Sequence, residues 1–134
     1  AMAEPKTQKT KASVAAFIAA VEDDTRRKDA KNVDKMMREI SGEKPAMWGP
    51  SIVGYGEYEG PTGKWPRIGF SPRKANLVIY AMDGYAREPL MKKLGKHKTG
   101  RSCLYINKLA DVDEGVLRQI VVNGWKIMAK KYPE

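Results

Sequence analysis

The chain has 134 residues, 42% of them hydrophobic and 31% charged, and a formal net charge of +9. That length fits one domain able to bury a core of its own, and the balance is that of a globular protein. No apolar run approaches the ~20 residues of a membrane span, and a lone cysteine, Cys103, excludes an intramolecular disulfide and a cysteine-built metal cage.

Residues 1–12 are polar and carry a proline, which predicts a disordered tail ahead of a single domain over residues 13–134. Charged residues interrupt AEPKTQKTKAS, so no export signal is expected and the predicted setting is the cytoplasm. Ser13 is placed to cap a short helix in which Val14, Phe17, Ile18 and Val21 recur at helical spacing. The stretch from Glu22 to Lys31 mixes both signs of charge; it is either a solvated turn or the start of a second helix capped by Asp23 or Asp24. Val33, Met36, Met37 and Ile40 give that helix its buried face, and Gly42 supplies a left-handed stop.

Pro45, Gly49 and Pro50 predict irregular structure from Lys44 to Pro50, with Met47 and Trp48 as apolar anchors. Ser51–Tyr55 reads as a strand, Gly56–Pro66 as a glycine-rich turn, Arg67–Phe70 as a second strand and Ser71–Lys74 as a tight connection. Asn76–Met82 is the most β-like run in the chain. Asp83–Leu94 reads as a loop with a short helix that stops at Gly95. Ser102–Asn107 is a fourth strand, with Cys103 and Tyr105 on one face and Leu104 and Ile106 on the other. Asp113 caps the last helix, whose stripe runs through Val116, Leu117, Ile120, Val121, Trp125 and Met128 towards Pro133. Consecutive strands flanked by helices predict an α+β fold: an antiparallel sheet of about four to five strands packed against N- and C-terminal helices.

Charge singles out one window. Residues 89–110 contribute +6 of the +9, with no acid among them. A focused patch suits a specific anionic partner, an anionic small molecule or an acidic protein surface, better than diffuse attraction to nucleic acid, which is disfavoured. The candidate ligand-binding residues are Lys96, His97, Lys98, Arg101 and Ser102, with the N–H groups of Gly100, Arg101 and Ser102 as an anion nest. Arg73 and Lys74 join them if the strand order brings the two turns together. Trp48 and Tyr55 are the aromatics chosen to line a pocket.

Other chemistries fit less well. The loop has glycine spacing like that of a phosphate-binding loop, but Arg101 stands where a lysine is required and a strand-like segment follows. His97 is the only histidine; it can be drawn beside Ser102 and Cys103, yet a lone cysteine in an apolar run reads as core, so no catalytic residue is assigned and the expectation is not an enzyme. Glu22, Asp23 and Asp24 form the one acidic cluster, a weak alternative for a metal that helix-dipole preference explains better. No cofactor is expected, and the protein is expected to be a monomer or weak homodimer.

Three segments, Ile40–Gly56, Gly69–Lys74 and Leu94–Asp113, resemble the YdhG-like family of small bacterial domains, with the likeness running over roughly residues 33–125. The resemblance implies a compact α+β domain of uncharacterised, non-enzymatic role. Through that family's proposed relation to frataxin it also implies an alternative as an intracellular iron chaperone. The matching segments are basic or aromatic rather than acidic, which favours an anionic ligand over a cation; a nucleic-acid accessory role is the second alternative.

Overall fold

The computed structural model describes residues 8–134. In chain order these form β1 (Lys9–Thr10), α1 (Val14–Ala19), α2 (Asp24–Ser41), β2 (Pro45–Trp48), β3 (Ile52–Tyr55), β4 (Tyr58–Gly60), β5 (Gly63–Trp65), β6 (Ile68–Pro72), β7 (Leu77–Tyr80), β8 (Lys98–Thr99), β9 (Leu104–Ile106) and α3 (Glu114–Lys131). Three short 3-10 turns, Tyr85–Arg87, Pro89–Lys93 and Leu109–Asp111, complete the set. The main sheet runs β1-β2-β3-β6-β7-β9-β8 with every neighbouring pair antiparallel, and β4–β5 is a separate hairpin. The edge strands β1 and β8 have two residues each, so five strands carry the fold, as the α+β expectation requires.

One row of the register crosses the whole sheet: Thr10, Met47, Val53, Phe70, Ile79, Leu104 and Thr99 oppose one another in turn. The five apolar members are buried, in one cluster with Ile18, Val33, Met37, Leu117, Ile120 and Val121 from the helices. Strand side chains alternate between faces, so all three helices cover this face and the other is turned away from them.

The helix ends follow local chemistry. Ser13, Asp23 and Asp113 each accept a hydrogen bond from the backbone N–H three residues on, and Gly42 closes α2 at φ 69°. Gly124 fixes how closely α3 approaches the sheet. A Cβ there would lie 1.9 Å from the carbonyl oxygen of Ala81, so only a residue without a side chain allows this contact.

Buried charges act as struts. Arg67, 7% exposed, donates to the carbonyls of Met128 (3.2 Å) and Tyr132 (2.7 Å), which puts a cation on the negative end of α3. Asp29 accepts from the N–H of Leu109 at 3.0 Å and ties α2 to the segment after β9.

The structure departs from the sequence expectations in three places. Lys44–Pro50 is not irregular: Pro45–Trp48 forms β2, with Pro45 at the first strand position, where a missing N–H is tolerated. Gly56–Pro66 is not a simple turn but contains the β4–β5 hairpin, whose Tyr58 ring packs 4.5 Å from that of Tyr132. The expected tail over residues 1–12 does not hold at Lys9 and Thr10, which pair with Trp48 and Met47; residues 1–7 lie outside the described residues. Among the described residues no helix is long and apolar enough to cross a membrane.

Candidate functional site

The basic loop is a hairpin rather than an open nest. Lys98 pairs with Tyr105 and Thr99 with Leu104, and the N–H of Gly100 donates to Cys103 O at 2.8 Å, closing the turn. The expected Gly100 donor is therefore spent inside the turn. Ser102 donates its hydroxyl to Asp83, and His97 Nδ1 meets Gly95 O at 2.7 Å rather than Ser102 or Cys103. Ser102 is thus held by a carboxylate, which removes it from the expected anion site. Lys96, Lys98 and Arg101 remain exposed and make no ion pair with any described acid.

Arg73 and Lys74 do not join Arg101 and Ser102. Leu77 pairs with Ile106 and Ile79 with Leu104, so the β6–β7 turn sits at the Asn107 end of β9 and the Gly100–Cys103 turn at the other. Trp48 and Tyr55 line no pocket: they are 1% and 0% exposed. The indole of Trp48 lies against Gly54, where a Cβ would be 2.6 Å from Cδ1, so the glycine makes room for the ring. Tyr55 points to the core and donates to Asp34 Oδ1 at 2.5 Å, while Arg38 pairs with Asp34 Oδ2 at 3.0 Å. Burial first, and then the Asp34 bond, push the Tyr55 phenol well above its ordinary pKa.

A concavity lies elsewhere. A groove of about 870 Å³ opens between the α1–α2 turn, the β6–β7 turn and the segment after β9. Arg26 forms part of its wall, 8% exposed. Its guanidinium donates to Arg73 O and, at 2.7 Å, to Asn107 O, while its Nε is buried without a partner. No described carboxylate lies within ion-pairing distance of it. The contrast with Arg67 is informative, because that buried guanidinium has Glu134 at 3.9 Å. Burying a charge is costly unless a counter-charge offsets it, and two carbonyls offset it only in part.

No family model, curated protein or solved structure matches this chain.

The groove's own side chains therefore define its chemistry. Lys74 and Lys108 join Arg26 on the rim, and Glu22 and Asp23 line the same groove; Arg73 lines it too but directs its guanidinium to Tyr80 at 2.8 Å. The acids do not form the metal cluster weighed from sequence. Asp23 is occupied as the α2 cap at 2.8 Å from the N–H of Arg26, Asp24 pairs with Arg27, and among the described residues no three metal-ligating side chains converge. Of the residues chosen from sequence, Arg73 and Lys74 belong to the groove. Arg26 and Lys108 were missed: Arg26 lies in a mixed-charge run that reads as solvated, and Lys108 is a single lysine past a strand.

Proposed function

We propose that this chain is a non-enzymatic binding domain whose groove takes a small anion, a phosphate or carboxylate group on a larger molecule. The observation that carries the reading is Arg26, a buried guanidinium without a carboxylate, in the wall of a groove rimmed by Lys74 and Lys108. An anion there would supply the missing counter-charge, and the N-terminus of α2 would add its partial positive charge. Glu22 and Asp23 would set a size limit, admitting one compact anionic group and repelling a second. The YdhG-like resemblance and a cytoplasmic setting belong to the same proposal and are compatible with it.

The test is a thermal-shift series with inorganic phosphate, nucleotides and dicarboxylic acids, on wild type and a Lys74→Ala, Lys108→Ala double variant. These exposed lysines can be removed without touching the Arg26 strut. Millimolar anion should raise the wild-type midpoint and leave the variant unmoved. Equal shifts in both proteins, or none in either, would remove the groove as a site.

A further inference from the structure

The sheet face turned away from the helices carries a second surface, built from different side chains. The register puts Trp48, Val78, Tyr105 and Lys98 on it, and in the next row Gly54, Gly69 and Tyr80. Trp48 and Val78 are buried within this layer, while Tyr80 and Tyr105 on adjacent strands are half-exposed. Neither ring stacks on another described aromatic. Arg73 follows Pro72 at the end of β6, beside the Leu77 end of β7, and donates to the phenol of Tyr80 at 2.8 Å, so its side chain runs along β7. No strand residue that the register places on this face is acidic. Lys9 at the far edge is paired with Glu57, so the free charge gathers beside the tyrosines, from Lys98 and Arg101.

We propose that this face binds single-stranded nucleic acid, with bases stacked on Tyr80 and Tyr105 and phosphates held by Arg73, Lys98 and Arg101. Charge complementarity selects a polyanion, and half-exposed rings on an open sheet give it something that a purely basic patch lacks. Base faces are hidden in a duplex and available in a single strand, so rings that stack bases select the single strand. An acidic peptide would use the cations and leave the rings idle. Charge distribution along the chain alone disfavours nucleic acid because it cannot show that Tyr80 and Tyr105 share a face with Arg73 and Lys98. The inference is independent of the groove, with which it shares only Arg73.

The experiment is fluorescence anisotropy with labelled oligothymidylate and oligoadenylate of ~12 nucleotides, within the span that one small domain covers. It compares wild type with Tyr105→Ala, Tyr105→Phe and Lys98→Ala, each checked for an unchanged melting midpoint. Binding should weaken steeply with salt, and Tyr105→Ala should weaken it about tenfold while Tyr105→Phe restores it. Lys98→Ala should reduce the logarithmic salt slope by about 0.7, the share of one phosphate contact. Four results would each overturn the proposal: no binding at low salt, equal affinity for duplex, equal displacement by polyglutamate, or loss of affinity that Tyr105→Phe fails to restore. Concentration-dependent self-association abolished by Tyr105→Ala would also overturn it, by assigning the face to a second copy of the chain.

Discussion

Arg26 donates a hydrogen bond to the carbonyl oxygen of Arg73, and through it the first turn of α2 holds the turn between β6 and β7. The second arm of the same guanidinium holds Asn107, across a separation of 81 residues in the chain. Arg73, fixed at its backbone, sends its own guanidinium the other way, to Tyr80 on the open face of the sheet. One backbone anchor thus links the groove to the surface on the opposite side of the turn.

Replacing Arg26 tests the anchor. Arg26→Met keeps the apolar stem and removes both charge-assisted bonds, leaving the carbonyls of Arg73 and Asn107 without their donor. Each bond from a charged donor contributes ~1.5–3 kcal/mol, partly offset by relief of the buried charge, so a net loss of about 2 kcal/mol is expected. Urea denaturation measures it. A variant as stable as wild type would mean that the unpaired charge costs as much as the bonds contribute.

Gly124→Ala should be among the most destabilising small changes in the protein. Alanine is the better helix former by ~1 kcal/mol, yet its Cβ would stand 1.9 Å from a backbone oxygen that cannot move without shifting the end of β7. The expected net loss is about 3 kcal/mol or more, read from urea midpoints. Gly115→Ala serves as the control on the same helix: its Cβ would meet only the capping oxygen of Asp113, at 3.3 Å, so it should cost far less than Gly124→Ala.

What was legible in the sequence was local. The caps at Ser13 and Asp113 and the stripe of α3 depend on residues within a turn of one another, and each is found where spacing predicts, while Asp23 is the one of the two offered caps that starts α2. Strand β2 was hidden because Pro45 is its own first residue and Gly49 and Pro50 follow directly after it, so the strand reads as a break. Trp48 and Tyr55 misled because a sequence does not distinguish a ring that lines a pocket from one that is buried: Gly54 makes room for the Trp48 ring and Asp34 satisfies the Tyr55 phenol inside the core. The groove was illegible because its cations come from α2, the β6–β7 turn and the segment after β9, which no local pattern connects.

The basic hairpin and the groove can be separated. A Lys96→Ala, Lys98→Ala, Arg101→Ala triple variant removes exposed cations without a described acid partner, so its stability should stay within about 0.5 kcal/mol of wild type. Its thermal shift with inorganic phosphate should equal that of wild type, because none of these residues lines the groove. Loss of the phosphate response in this variant would return the anion site to the loop.

Alkaline pH should expose the buried phenols. Burial raises the pKa of Tyr55 and of Tyr85 above the ordinary 10.0, with the Asp34 hydrogen bond adding to the shift at Tyr55. Tyr85 donates to Ile79 O at 2.8 Å and is fully enclosed. A native pKa above the unfolded one means that the folded state keeps its proton while the unfolded chain releases it. The stability these groups contribute is therefore complete below about pH 10 and falls as pH rises beyond it, by at most ~1.4 kcal/mol per pH unit for each tyrosine. Melting midpoints should be level from about pH 8 to 9.5 and drop steeply by about pH 11, with tyrosinate absorbance appearing together with unfolding. Tyr55→Phe should start ~1 kcal/mol lower at neutral pH, because Asp34 loses a donor, and then decline less steeply. Identical slopes for the two proteins would show that Tyr55 titrates freely in the native state and that its bond to Asp34 opens before the fold does.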